Sequence, residues 1–143
     1  MSTYCLLADL LEVKTAAELA QLADLDGDHA ADEAVVTRAC VNATQLINGY
    51  ISPRYPLPLA GDALATVKTV AVRLAIYYLH LDRNSLTDDV NKQYDRDIAF
   101  LKDIAAGKAS LGDPTDSAAG DAAPGIEIEA DTRVFTRDKM KGW

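Results

Sequence analysis

Three prolines, Pro53, Pro56 and Pro58, crowd the segment Ser52–Pro58 (SPRYPLP) and divide the chain. Each proline ring holds φ near about −65°, removes an amide donor and disfavours the α region for the preceding residue. Ser52–Pro58 therefore has to be an extended, rigid connection. Before it, Val36, Ala39, Cys40, Ala43, Leu46, Ile47, Tyr50 and Ile51 recur at three- and four-residue steps, which places one apolar stripe on a helix that Pro53 ends. After it, a further helix is expected from about Asp62 to Leu81. Between Val70 and Leu81 this helix is apolar on nearly every side, so it is either central in a bundle or covered by a neighbouring subunit.

The same periodicity extends to both sides. Leu6, Leu7, Leu10 and Leu11 mark a short first helix. Thr15–Ala16–Ala17–Glu18 reads as a capping box opening a second helix with Leu19 and Leu22. Asp24–Leu25–Asp26–Gly27–Asp28 breaks that helix, and Asp32 is placed to cap the third. Thr87 caps a fifth helix whose face is Val90, Tyr94, Ile98, Leu101 and Ile104, with Gly107 as its stop. The fold class is therefore mainly α, a small bundle of about five helices spanning residues 1–111.

Composition changes after Leu111. Residues 112–124 contain glycine, proline, alanine, serine, threonine and aspartate, with no large apolar side chain, and read as a flexible acidic linker. In residues 125–143, Ile126–Glu127–Ile128–Glu129 alternates like a strand, and Ala130–Asp131–Thr132 can turn it into Arg133–Val134–Phe135 as a marginal hairpin. The basic charge of this tail (Arg133, Arg137, Lys139, Lys141) is confined to its last eleven residues, which end in Trp143. A spacer leading to a basic, aromatic-ended peptide is the layout of a docking arm.

The totals exclude several classes. At 143 residues one domain is expected. A net charge of −8 is unsuited to direct nucleic-acid binding, which needs lysine and arginine to displace counterions. No uninterrupted apolar run approaches the roughly 20 residues of a membrane span, since Arg73 interrupts Val70–Leu79. The N-terminus lacks a basic region before its apolar residues, so neither membrane insertion nor secretion is expected. Cys5 and Cys40 are expected to serve as small buried apolar residues.

Chemistry is hard to find in the residues. His29 sits in an acidic loop and His80 near a helix end, with no nucleophile signature around either, and no phosphate loop is present. Asp24-x-Asp26-x-Asp28 has the opening of a calcium loop, but an EF-hand needs glycine at its sixth position and glutamate at its twelfth. Here those places hold His29 and Val35, so the loop reads as solvated and no metal, cofactor or catalytic residue is expected. Asp82–Arg83 and Asp95–Arg96–Asp97 read as solvent-exposed charge. Arg54 and Tyr55 are either a packed loop anchor or an exposed contact. Tyr77 and Tyr78 diverge by about 100° and cannot share one core face. These four residues are the candidates for a subunit interface.

A resemblance covers nearly the whole chain. It rests on Tyr4–Leu11 (YCLLADLL), the acidic loop Asp24–Asp28, Ile47–Ile51 (INGYI) followed by Arg54–Pro58 (RYPLP), Arg96–Leu101 (RDIAFL), Ala106–Lys108 (AGK) and Phe135–Trp143 (FTRDKMKGW). In that order these segments resemble the Mu-like phage neck proteins, a family of head–tail adaptors. The resemblance implies a helical subunit of the virion neck, assembled in the host cytoplasm. Such subunits form a homo-oligomeric ring beneath the portal protein, extend the DNA channel without specific DNA binding, and present a platform to a downstream neck or tail protein. It also implies that the C-terminal arm grips the portal. The residues that would do so are Arg133, Val134, Phe135, Thr136, Arg137, Lys139, Met140, Lys141 and Trp143.

The competing reading is a phage regulatory protein that binds a host protein through its helical groove or its basic tail. An enzyme is disfavoured by the missing nucleophile, base and phosphate loop. A helix-turn-helix DNA binder needs a basic recognition helix, whereas residues 33–51 carry only Arg38.

Overall fold

The computed structural model describes residues 2–112, and among them five helices and no strand are found. Helix α1 spans Leu7–Val13, α2 Ala16–Ala23, α3 Glu33–Ile51, α4 Gly61–Asp82 and α5 Asp88–Ala105. All five lie where periodicity and caps place them. The flanking residues show why. Glu18 N–H donates to Thr15 Oγ1 at 3.3 Å and Thr15 N–H donates to Glu18 Oε2 at 2.9 Å, completing the capping box of α2. Thr87 Oγ1 accepts the Val90 amide at the start of α5.

The far end of α5 closes as a Schellman turn. Gly107 sits at φ +77°, its amide bonds Ile104 O, and the Lys108 amide reaches back to Asp103 O at 2.8 Å. Asp32 departs from expectation. It does precede α3, but its carboxylate accepts the Leu25 amide at 2.8 Å and makes no cap bond, so it closes the acidic loop instead.

The core is built on the α3–α4 pair, with α5 laid across both and α1 and α2 packed at one side. Val36, Ala43, Ile47 and Ile51 of α3 meet Val67, Ala71, Leu74, Ala75 and Leu79 of α4. Leu101 and Ile104 of α5 and Leu10 and Leu19 of the short helices are wholly buried beside them. Truncating any one of these large side chains to alanine removes about 2–5 kcal/mol through lost transfer energy and a residual cavity. Of the two explanations for the all-round apolar character of α4, its central position holds. Its length and hydropathy are those of a membrane span, and the bundle accounts for both.

The residues ahead of α1 lie along α3. The Tyr4 amide donates to Thr44 Oγ1 at 3.0 Å, and Tyr4 Oη bonds Asn48 Oδ1. Cys5 and Cys40 are free thiols at 1% and 2% exposure, buried as expected. The neighbouring Cys40 thiol, together with burial, pushes the Cys5 pKa up and keeps it protonated.

Candidate interaction surfaces

The first half of the proline segment is a turn and not the extended connection expected, since the Arg54 and Tyr55 amides both bond Ile51 O at 3.0 Å, and its centre folds inward. Tyr55 is only 3% exposed, and its Oη accepts the Leu111 amide at 3.2 Å. The Arg54 guanidinium lies over Gly107, where a Cβ would fall inside van der Waals contact with it. Of the two roles open to this pair, the burial of Tyr55 matches the packed loop anchor. The segment thereby joins the end of α3 to the point where the chain leaves α5.

Tyr77 and Tyr78 are both half-buried on α4. Tyr77 stacks on Tyr94 of α5 at 4.0 Å between ring centroids, and Tyr78 meets Tyr77 edge-on at 5.8 Å. Their rings thus form one aromatic ridge between α4 and α5, with part of each ring left to solvent. Desolvation is the chief cause that raises the pKa of Tyr78 and of Tyr94, so both stay neutral phenols.

One of the charges expected in solvent, Asp97, is buried instead. Asp97 is 2% exposed and faces the core side of α5. Arg73 Nε donates to both its oxygens at 3.0 and 3.1 Å, Arg73 Nη2 donates at 2.6 Å, and Gln93 Nε2 adds a bond at 3.2 Å. The fork geometry of guanidinium on carboxylate satisfies both groups and pins α5 to α4. Asp95 and Arg96 are exposed as expected, as are Asp82 and Arg83. Arg83 nonetheless donates to Leu22 O at 3.2 Å, and Asp82 pairs with Arg38 at 3.0 Å.

In the acidic loop the carboxylate oxygens of Asp24, Asp26 and Asp28 come within 4.8 Å of one another. Each is used locally. Asp24 accepts the Gly27 and His29 amides at 2.6 and 3.1 Å, Asp26 accepts the Asp28 amide at 3.2 Å, and Asp28 accepts the Ala30 amide at 2.8 Å. The Gly27 bond is the main reason the Asp24 pKa lies low. The loop's carboxylates therefore stand in for backbone partners around two left-handed residues, Gly27 and His29. His80 Nδ1 lies 3.2 Å from the carbonyl and the hydroxyl of Ser85, an arrangement that closes the turn after α4.

Exposed apolar side chains gather mainly at the α1 end of the bundle. Leu6, Leu11 and Val13 at the α1 end of the bundle are 62%, 45% and 61% exposed, and Leu25, Leu57 and Leu81 are also open. Helix α1 is too short to wrap its apolar residues: Leu10 alone is buried within it. The expected docking arm, Arg133 to Trp143, and residues 113–132 before it lie outside the described residues.

Comparison with known proteins follows the same layout. The profile of the family described as Bacteriophage Mu, Gp36 matches residues 4–129. The Mu-like prophage FluMu protein gp36 of Haemophilus influenzae is 32% identical over 145 aligned residues, covering 100% of this chain and 99% of the relative. Gene product J of Escherichia phage Mu is 26% identical over 113 residues, covering 78% of this chain and 77% of its own. With a match across both the helical bundle and most of the tail, the chain belongs to the Bacteriophage Mu Gp36 family.

Proposed function

We propose that the chain is a structural head–tail adaptor subunit of a tailed phage, without a catalytic role. Copies form a ring beneath the portal, extend the DNA channel and carry the next neck or tail component. Membership of the Mu Gp36 family is the observation that carries this reading.

Four properties support it. A compact bundle with its core closed by its own helices can serve as a rigid building block. Net charge of −8 lets DNA slide past without adhering, because a negative channel wall repels phosphate. The aromatic ridge of Tyr77 and Tyr78 offers partly exposed rings of the kind enriched at interfaces, and is assigned to contact between neighbouring subunits. The arm supplies Phe135, Met140 and Trp143 as apolar anchors, with Arg133, Arg137, Lys139 and Lys141 to meet an acidic partner.

Light scattering of the purified protein with and without its matching portal tests the proposal. Co-migration with portal, lost when Arg133–Trp143 are removed, is the expected result. A monomer that ignores portal and assembled heads alike would defeat it and favour a regulatory protein that binds a host partner.

A further inference from the structure

The bundle carries a groove that the adaptor reading leaves unused. Leu7 and Leu11 of α1, Ala16 and Leu19 of α2, and Ala31 ahead of α3 line a space of about 220 Å³, with His29 as the one polar side chain at its edge. An apolar cavity of about 150 Å³ is enough to admit benzene, so an aromatic side chain fits here. Leu11 is 45% exposed in this groove, and its apolar area remains wet in the described chain. Beside it runs the stretch 24–33, the acidic loop and the first residue of α3, which contains Asp24, Asp26, Asp28, Asp32 and Glu33 and no lysine or arginine.

The negative charge in that loop is incompletely compensated. The Asp28 amide pulls the Asp26 pKa down, yet desolvation and the charges of Asp28, Asp32 and Asp24 outweigh it and raise the pKa. An apolar slot bordered by crowded carboxylates selects a ligand with an aromatic group and neighbouring cations. One segment of this chain has that composition. Residues 133–143 contain four basic residues against the single Asp138, together with Phe135, Met140 and the chain's only tryptophan, Trp143.

We infer that the C-terminal segment 133–143 docks on its own bundle, with Trp143 in the α1–α2 groove and its basic residues against the stretch 24–33. Reach permits this. Leu111, next to the last described residue, is bonded to Tyr55 just past the end of α3, and the groove lies at the opposite end of α3. Nineteen residues of helix separate the two ends, about 28 Å at 1.5 Å per residue. Residues 113–132 can span at most ~66–72 Å, more than twice that distance. Tethering also raises the local concentration of the segment to the millimolar range, so a modest contact suffices. In this state the basic, aromatic end is held by its own chain, and any outside partner has to displace it. The inference stands whether or not that partner is portal.

Trp143 makes the test direct, because it is the sole indole in the 143-residue sequence. Its emission maximum and its quenching by acrylamide are measured on the purified protein alone, without portal. The expected result is blue-shifted emission and protection from quencher at any protein concentration, with protection falling as salt screens the charges. Leu11→Glu, at a position already half open to water, should abolish the protection without changing helical circular dichroism. The triple variant Asp24→Asn, Asp26→Asn, Asp28→Asn keeps the amide acceptors of the loop, and should weaken protection while the fold persists. Emission of a fully hydrated indole in the unmodified chain would overturn the inference. So would protection that survives both variants, or protection that appears only as concentration rises, which would assign the groove to a second copy.

Discussion

The Arg73–Asp97 pair gives the sharpest stability prediction, because its two halves are unequally buried. The Asp97 side chain is 3% exposed and that of Arg73 37%. In Arg73→Met the carboxylate keeps only Gln93 as a side-chain donor and stays trapped against the core. Stranding a buried charge costs about 3–5 kcal/mol. In Asp97→Asn the guanidinium loses a charged acceptor but retains a carbonyl oxygen and access to water. The loss is then the difference between a charge-assisted and a neutral hydrogen bond, about 1–2 kcal/mol. Domains of this size are stable by roughly 0.05–0.15 kcal/mol per residue, so the first change removes a large share of the total. Urea unfolding followed by circular dichroism reads both. With m about 2 kcal/mol/M, Arg73→Met should lower the midpoint by about 1.5–2.5 M and Asp97→Asn by less than about 1 M. The double replacement Arg73→Met with Asp97→Leu should recover most of the loss, since apolar isosteres of a buried pair are often neutral. Equal midpoints for the two single variants, or no recovery in the double, would refute the assignment of the cost to a stranded carboxylate.

Two further predictions concern the ends of helices. Gly107→Ala places a side chain at φ +77° and against the Arg54 guanidinium, so it should destabilise by more than the ~1–2 kcal/mol of a left-handed alanine alone. Adding Arg54→Ala should return part of that excess in a thermal melt; no coupling between the two changes would show that the guanidinium yields freely. The second concerns Asp9, whose pKa is lowered chiefly by its hydrogen bond with Lys68, at 2.7 Å, with the Leu6 amide adding to it. A depressed folded-state pKa contributes stability above the unfolded value of about 3.9, and that contribution disappears as pH falls through the folded value. The midpoint gap between the unmodified chain and Asp9→Asn should therefore be widest near neutral pH and shrink below about pH 4. A gap that does not change with pH would remove Asp9 from the acid limb.

The helices were readable because their signals are local. Thr15, Thr87, Gly107 and the prolines mark the ends, and the apolar stripes mark the faces. Partner choice across the chain was not readable. Asp97 lies at helical spacing with Tyr94, Leu101 and Ile104, and Arg73 interrupts an apolar run; each is a charge on a core face. Those two anomalies together were the available sign of a buried pair, but sequence does not state that residues 24 apart will meet. The same applies to Cys5 beside Cys40 and Tyr77 against Tyr94. Asp32 was placed correctly and its hydrogen bond was not, because Leu25, seven residues back, competes for the carboxylate once the acidic loop closes. Of the two readings of α4, burial in the bundle covers most of its apolar side chains and leaves Leu81 open, whereas α1, a two-turn helix, has too few neighbours to cover its leucines.

The junction of Leu111 with Tyr55 has a mechanical consequence. A pull on the C-terminal tail does not arrive at the last turn of α5, from which a helix is easily peeled. It arrives at Leu111, a side chain 2% exposed and clamped by its amide to the tyrosine in the proline-stiffened corner. Gly107, past the end of α5, lies under the guanidinium of Arg54, the residue before Tyr55. Tension at Leu111 is thus shared between the end of α3 and the segment that follows α5.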